Sequence, residues 1–322
     1  MKKNISIFLI ALIIFSFTGC KGSDLKSYGD AVEKTNSITK GQMELNMDMD
    51  LDINTQGMTE EELKAMNYFK TMKGKMRIKF DETEKFISRN YFNFGGLGFD
   101  LDVFGNGEDI YLQMPIIGKY INVKEFDENK QSSQENEFIS ENSKVKISEK
   151  WVGFLQEDDV FSGKSTVMDT PDGEVKVTEY TIQMEKGKLK EFASYVINTV
   201  AKDENFRNNL ANQINTSNGN EQVTIDDIIN NSEEMIEGAN VGAFNYTAYV
   251  DIDGYIVKEV IKVTMDSSDS EKINSATFNM NINRWGIEKK QEFDFPDINE
   301  DNILKESEID QEMPFNFGNI DK

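Results

Sequence analysis

Histidine is absent from the sequence, and cysteine occurs once among 322 residues. Without histidine, Ser-His-Asp and Cys-His nucleophiles are excluded, together with the usual histidine-containing zinc and iron sites. The single cysteine, Cys20, cannot form an internal disulfide. Carboxylate, Ser/Lys and tyrosine chemistry remain, and Ser37–Lys40 and Ser143–Lys146 both fit S-x-x-K, but neither the S-D-N nor the K-T-G partner occurs. We therefore predict a protein that is not an enzyme and uses no cofactor.

Positive charge is also scarce, because 35 Lys and Arg stand against 58 Asp and Glu, giving a formal net charge of −23. Such a surface is repelled by nucleic acid and by anionic lipid head groups. The composition predicts no nucleic-acid partner, and any attachment to a membrane needs another device.

The N-terminus contains a candidate signal for membrane attachment. Residues 1–19 place Lys2 and Lys3 ahead of an apolar run that is too short to span a bilayer, which is typical of a signal peptide. The run ends in Phe17-Thr18-Gly19-Cys20, which resembles the lipobox of bacterial lipoproteins. The resemblance implies that Cys20 is acylated and begins the mature chain, with 20–23 as its tether. It implies a lipid-anchored protein on the extracytoplasmic face of the cell membrane; the alternative is an ordinary secreted protein.

The stretch MELNMDMDLDIN, from Met43 to Asn54, alternates strictly between apolar and polar residues. This period of two predicts a β-strand with one buried and one wet face. Asp48, Asp50 and Asp52 imitate the start of a calcium loop, but the glycine at the sixth position and the glutamate at the twelfth are missing. We expect no metal site here, and we expect the acids to face the lysines of 75–80 if the two strands pair.

Further along the chain, helical and strand patterns alternate. A helical entry at 21–36 precedes several strands, a helix is predicted near 148–155 and a long one over 187–214, and three or four strands finish the domain. The turn Asp251-Ile252-Asp253-Gly254 predicts a hairpin. This order predicts an α+β fold with a large antiparallel sheet. We expect one domain over 24–297, with a polar loop at about 127–147 and a loose acidic tail at 298–322.

The lipobox, the short helix, the alternating strand and the meander DVFGNGEDIYLQMPIIGKYI together resemble lipoproteins of the LolA/LppX-like superfamily. The resemblance covers about residues 24–297 and is architectural, since only the lipobox is a specific motif. It implies a curved antiparallel half-barrel closed by helices, with an apolar cavity between them. Several such proteins carry lipids or lipidated proteins there.

Methionine is flexible and polarizable, so Met43, Met47 and Met49 suit a surface that fits variable apolar partners. Our hypothesis is a membrane-anchored protein that binds a lipid or acyl chain, with the membrane as its other partner. The alternative is a structural or protein-interaction lipoprotein with a filled core. The candidate ligand-lining residues are Met43, Leu45, Met47, Met49, Leu51, Met76, Ile78, Phe80, Phe99, Leu101, Leu112 and Met114.

Overall fold

The computed structural model describes residues 21–83, 85–107, 109–113, 115, 118–123, 139–208, 226, 229–230, 238–267 and 273–304. In these ranges the named helices are α1 (Lys21–Asn36), α2 (Glu60–Lys70), α3 (Glu141–Phe154) and α4 (Lys186–Ala201). The strands are β1 (Gly41–Ile53), β2 (Thr71–Phe80), β3 (Lys85–Phe94), β4 (Leu97–Asn106), β5 (Ile110–Gln113), β6 (Tyr120–Asn122), β7 (Val160–Thr170), β8 (Gly173–Ile182), β9 (Ala239–Asp251), β10 (Ile256–Ser267) and β11 (Ile273–Trp285).

All eleven strands form one open, curved antiparallel sheet in the order β6-β5-β4-β3-β2-β1-β11-β10-β9-β8-β7. Two meanders, β1 to β6 and β7 to β11, are joined where the first strand pairs with the last. Consecutive strands are neighbours within each meander, but α2 lies between β1 and β2 in the sequence, and α4 lies between β8 and β9. The predicted α+β fold with a large antiparallel sheet is therefore confirmed.

The acidic row of β1 pairs with the basic row of β2, as the sequence predicted. Glu44 lies opposite Arg77, and Asp48 lies opposite Lys73. The Glu44 carboxylate contacts the Arg77 guanidinium at 2.5 Å and the Lys75 ammonium at 3.2 Å. Partial burial raises the pKa of Glu44, but hydrogen bonds from Asn46, Arg77 and Lys75 outweigh it and lower that pKa to about 2.

Helix α1 lies across β7 to β10 and is tied to the sheet at both ends. Near its start, the Asp24 carboxylate accepts hydrogen bonds from the backbone N–H and the hydroxyl of Ser162 in β7, at 3.1 and 2.9 Å. Near its end, the Thr35 hydroxyl accepts a hydrogen bond from the Ile256 N–H at 2.8 Å. Tyr28, between these anchors, is fully buried. The helix predicted at 21–36 thus packs through one apolar stripe, which consists of Leu25, Tyr28 and Val32.

The hairpin predicted at 251–254 joins β9 and β10. Gly254 has a φ of 88°, which a residue without a side chain adopts at no steric cost. The Asp251 carboxylate accepts a hydrogen bond from the Tyr255 N–H at 2.8 Å and so closes the turn. An aspartate side chain stabilises a turn in this way by accepting a hydrogen bond from a nearby backbone N–H.

Two predicted boundaries are wrong. Helix α3 begins at Glu141, inside the segment expected to be a polar loop, because the Ser140 hydroxyl accepts a hydrogen bond from the Ser143 N–H as an N-cap. The predicted long helix ends at Ala201, since the Asp203 carboxylate accepts from the Phe206 N–H and starts a new turn. The part of the predicted loop at 127–138 lies outside the described residues.

The C-terminal segment is also more ordered than predicted as far as residue 304. Tyr120 of β6 donates its N–H to the Asn302 carbonyl at 2.8 Å and accepts from the Leu304 N–H at 2.7 Å. Leu304 is fully buried. Residues 299–304 therefore pack against the edge of the sheet, and the rest of the predicted tail, 305–322, lies outside the described residues.

Among the helices that the structure describes, none combines the length and the apolar character that a membrane span requires.

Candidate ligand cavity

An apolar cavity of about 600 Å³ lies between the sheet and three helices. Strands β9, β10 and β11 form its floor, and α1, α3 and α4 form its roof. Pockets of this size hold small organic ligands. Its apolar lining consists of Val32, Ile147, Trp151, Leu189, Phe192, Ala193, Val241, Phe244, Ile256, Ile261, Val263 and Met265.

Cross-strand register produces the floor. Tyr246 lies opposite Ile261, and Phe244 lies opposite Val263, in the β9–β10 pair. Directly opposed residues of an antiparallel pair project from the same face of the sheet. These four side chains therefore form one continuous apolar surface under the helices.

Trp151 is the central roof residue. Its ring centroid lies 5.1 Å from that of Phe192 on α4, 6.3 Å from Phe244 and 5.7 Å from Tyr246. Aromatic pairs at such separations stabilise one another beyond their burial alone. The tryptophan thereby fixes α3 against both α4 and the floor, and holds the roof in place above the cavity.

A directed chain of hydrogen bonds crosses one wall of the cavity. The Trp151 indole N–H donates to the Tyr28 hydroxyl at 2.8 Å, and that hydroxyl donates to the Tyr246 hydroxyl at 3.1 Å. Tyr246 donates in turn to the Glu259 carboxylate at 2.6 Å. Arg284 contacts the second oxygen of Glu259 at 2.6 Å. Each buried polar group in the chain is thus satisfied, which burial requires.

Burial raises the pKa of Tyr28 and of Tyr246, and the nearby Glu259 carboxylate adds to both effects. The two hydroxyls therefore stay protonated over the physiological range. Both hydroxyls can therefore act as hydrogen-bond donors, Tyr28 to Tyr246 and Tyr246 to Glu259, and neither is an activated nucleophile.

The cavity is polar at one end and apolar at the other. From Glu259 to Met265, β10 covers about 20 Å at roughly 3.4 Å per residue. Thr35 and Asn36, at the C-terminal end of α1, line the cavity near the start of β10. Val241 lies opposite Met265 at the far end. An elongated molecule with one polar end matches this shape.

A separate groove of about 740 Å³ lies between α3 and α4 and shares no lining residue with the cavity. Its lining is mostly polar and includes Lys146, Ser194 and Asn198. Residues that are neighbours in sequence therefore face different spaces: Ala193 lines the apolar cavity, whereas Ser194 lines the polar groove.

The ligand-lining residues that the sequence suggested lie on the other half of the sheet. Met114 is outside the described residues. None of the others is among the residues that line the cavity. They are Met43, Leu45, Met47, Met49 and Leu51 on β1, Met76, Ile78 and Phe80 on β2, Phe99 and Leu101 on β4, and Leu112 on β5.

The β1 residues nevertheless share a face with the cavity floor. Met47 lies opposite Met280 of β11, which lies opposite Ile261 of β10. In the next row, Met49 lies opposite Phe278. The odd-numbered side chains of β1 are half-buried. The apolar face chosen from the sequence is therefore continuous with the floor, and α1, α3 and α4 cover a different part of it.

Sequence reasoning found the cavity elements but not their role. The stretch GYIVKEVIKVTM, which contains β10, is one of the terminal strands that the sequence predicts, and Leu189 and Phe192 fall in the long helix predicted over 187–214. The methionines of β1 instead favoured that strand as the one that lines a ligand site. The overlooked signal is Tyr28, Trp151 and Tyr246: large aromatic residues with a polar atom, which need a hydrogen-bond partner when they are buried.

No protein-family model matches the chain, and no curated protein matches it. Among solved structures, the chain is similar to a LolA superfamily protein from Nitrosomonas europaea, with 8% identity and a TM-score of 0.21 over 85% of this chain and 95% of that one. It is also similar to a putative outer membrane lipoprotein-sorting protein domain from Vibrio parahaemolyticus, with 9% identity, a TM-score of 0.21 and the same coverage. The neighbours thus bear the family name that the sequence suggested. TM-scores this low carry no argument about function.

The described residues contain no group of three or more His, Cys, Asp or Glu side chains that could hold a metal ion. Among the described residues that line the cavity, Glu259 is the single carboxylate, and it contacts Tyr246 and Arg284. The cavity therefore combines an apolar space with a few polar groups. Small-molecule binding pockets ordinarily have this composition.

Proposed function

We propose that this protein is a non-enzymatic, membrane-anchored binder of a hydrophobic ligand, such as a lipid or an acyl chain. The cavity between the sheet and α1, α3 and α4 is the observation that carries the proposal. Its lining is dominated by aliphatic and aromatic side chains, and burying apolar surface yields roughly 25 cal/mol per Å². A ligand with an extended apolar part gains most from such a site.

Anchoring belongs to the same proposal. The lipobox-like Phe17-Thr18-Gly19-Cys20 lies directly before α1, which starts at Lys21. Acylation of Cys20 would therefore hold α1 close to the bilayer on its extracytoplasmic face. Stable attachment needs more than one buried acyl chain, as lipoprotein processing at a lipobox supplies. Such a short tether keeps the lipid-binding cavity close to the bilayer, from which its ligand would come.

The alternative, a structural or interaction lipoprotein with a filled core, calls for tight packing between helices and sheet. Protein interiors are normally packed with few voids larger than a water molecule. A space of about 600 Å³ under the roof supports the ligand-binding hypothesis over the filled core.

Photolabelling tests the proposal on the full chain in its membrane. The probe is a neutral sixteen-carbon alcohol that carries a diazirine on its chain and a terminal alkyne for detection. Labelled peptides are mapped by mass spectrometry after irradiation. We expect labels on α3, α4 and β10, because these elements line the cavity.

Two matched variants give the experiment its control. Ala193→Phe adds a ring inside the cavity, whereas Ser194→Phe adds the same ring in the separate groove. We expect the first to reduce cavity labelling severalfold and the second to leave it unchanged. Equal labelling of both variants, or a parent protein labelled no more than a denatured sample, would count against a ligand cavity.

A further inference from the structure

The charged side chains in the floor of the cavity neutralise each other. One oxygen of the Glu259 carboxylate accepts a hydrogen bond from the Tyr246 hydroxyl at 2.6 Å, and the other contacts the Arg284 guanidinium at 2.6 Å. The Arg284 and Glu259 side chains are only 17% and 14% exposed, so salt and water screen their attraction weakly. The pair therefore adds no net charge to the space that a ligand would enter.

Strand register places this pair on the cavity floor. Glu259 of β10 lies opposite Ile282 of β11. Arg284 is two residues beyond Ile282, so it projects from the same face of the sheet and is the diagonal neighbour of Glu259. Long side chains reach across such a diagonal. The pairing thus follows from the backbone of two neighbouring strands.

The two lysines that line the cavity belong to its roof and have partners of their own. Lys144 is exposed, and its ammonium contacts the Glu141 carboxylate at 3.4 Å. Lys190 also interacts with a neighbouring group. A head group that reaches the floor therefore meets the Glu259–Arg284 pair.

Arg284 has more hydrogen-bond donors than its contacts in the described part of the chain use. A guanidinium carries five N–H groups. One of its terminal nitrogens contacts Glu259, and the other donates to the Ile256 carbonyl at 3.2 Å. An oxygen atom of a ligand can accept from the remaining N–H groups, while the charge of the guanidinium is already neutralised by Glu259.

The other polar side chains near this end of the cavity are uncharged. Thr35, Asn36 and Ser148 line it, and the Asn36 amide donates a hydrogen bond to the Ser148 hydroxyl. Hydroxyl and amide groups can both donate and accept hydrogen bonds. They suit a head group with ester or hydroxyl oxygens, which needs hydrogen bonds and no counter-charge.

We propose that the ligand is an uncharged amphiphile, such as a fatty-acid ester of a small polyol, whose carbonyl or hydroxyl oxygen accepts a hydrogen bond from Arg284. This inference rests on the proposed function and adds the class of the head group. An ionic head would leave water beside a pair that is already neutral, and a buried charge without a counter-charge is costly. An ester or hydroxyl loses less on leaving water and regains a hydrogen bond.

The test compares three diazirine probes with the same sixteen-carbon chain on the full chain in its membrane: a glycerol monoester, a sulfonate and a trimethylammonium. The two ions keep their charge at neutral pH. The measured quantity is the probe concentration that gives half-maximal labelling of the cavity peptides. We expect the lowest value for the monoester and values about ten- to a hundredfold higher for both ions, because neither ion finds a counter-charge.

Single changes to the pair should alter this ranking in opposite directions. Glu259→Gln leaves Arg284 with an unpaired positive charge, so the sulfonate should label at about a tenfold lower concentration than in the parent. Arg284→Gln leaves the carboxylate unpaired, and the trimethylammonium should gain by a similar factor. The double variant, Glu259→Gln with Arg284→Gln, has no charge at this position and should still prefer the monoester.

The matched controls are Asp159→Asn and Lys188→Gln. These residues form another mostly buried ion pair, with 3.1 Å between ammonium and carboxylate, and neither lines the cavity. Both controls should rank the three probes as the parent does. Melting curves check that each variant is folded, since an unpaired buried charge can unfold a domain. The double variant leaves no unpaired charge and so avoids that cost.

The outcomes separate this inference from the proposed function. If either ion labels the parent as readily as the monoester does, the uncharged class is wrong while the hydrophobic site stands. The same conclusion follows if the folded single variants rank the probes as their controls do, or if the double variant prefers an ion. If no probe labels the cavity, the proposed function itself fails.

Discussion

The buried hydroxyl of Tyr28 donates a hydrogen bond to the hydroxyl of Tyr246 over 3.1 Å, and so joins helix α1 to strand β9 across 218 residues of sequence. The Tyr246 hydroxyl in turn donates a hydrogen bond to the Glu259 carboxylate. Removing the Tyr246 hydroxyl takes away the acceptor of the buried Tyr28 hydroxyl. Such an unpaired group costs more than the hydrogen bond contributed, because its desolvation is not compensated.

Tyr246→Phe should therefore lower the free energy of unfolding by about 1–3 kcal/mol. Urea denaturation followed by tryptophan fluorescence measures the change. Tyr91→Phe serves as the control, because Tyr91 is 40% exposed and water replaces its lost partner. A Tyr246→Phe protein as stable as this control would show that the hydroxyl chain does not contribute to stability.

Asp203 should make stability depend on acid pH. Burial raises its pKa, but hydrogen bonds from Ser140, Ser143 and the Phe206 backbone outweigh that effect and lower the pKa to about 2. Since the folded-state pKa is below the ordinary value of 3.8, this stabilisation is fully present above pH 3.8 and is lost as the pH falls through about 2.

Asp203→Asn should accordingly lower Tm at neutral pH and flatten the loss of Tm at acid pH. Melting curves between pH 7 and pH 2 check both effects. The exposed carboxylate of Asp158 provides the comparison, and Asp158→Asn should leave the curve close to that of the parent. Parallel curves for Asp203→Asn and the parent would contradict the assignment.

The acid row should behave as a solvated strand face. Changing Asp48, Asp50 and Asp52 together to Asn should shift Tm little, since Asp48 is 44% exposed and its ammonium partner Lys73 is 4.0 Å away. Glu44→Gln should cost more than this triple change, because Glu44 is 16% exposed and contacts two cations. Calcium should not raise Tm of the parent; a rise of several degrees that the triple change abolishes would mean a metal site.

Cys20→Ala should separate the anchor from the fold. We expect the variant to be released from the membrane or to remain an unprocessed precursor, with its melting curve unchanged, because the packing of α1 starts beyond the tether. Detergent partitioning of variant and parent gives the answer. A fully processed variant that still partitions with lipid would rule out acylation at Cys20.

Local patterns were sufficient for most of the sheet. The alternation in β1, the turn at Gly254 and the stripe of α1 each depend on residues that are close in sequence, so their structure follows from side-chain period and turn chemistry. The acidic strand β1 was expected to lie beside the basic strand β2 because of their opposite charges, and the two strands pair although α2 lies between them in the sequence.

The start of α3 could not be predicted in the same way. Ser140 is held by Asp203, which lies 63 residues away, and the end of α4 depends on the same carboxylate. The Ser140 cap is local, since it accepts from the Ser143 N–H, but the carboxylate that holds Ser140 in place belongs to a distant segment. The order of residues 299–304 has a similar origin, because their partner is Tyr120 on the edge strand β6.

By itself, the sequence determined the absence of histidine chemistry, the acidic charge, the lipobox-like start and an antiparallel sheet with one apolar face. Only the tertiary structure decided which part of that face the helices cover. An alternating strand specifies which side chains are apolar, but the space above them depends on how distant elements pack. Met47 of β1 and Ile261 of β10 lie on one face of one sheet, and the cavity forms above Ile261 because α1, α3 and α4 are anchored over β9 and β10.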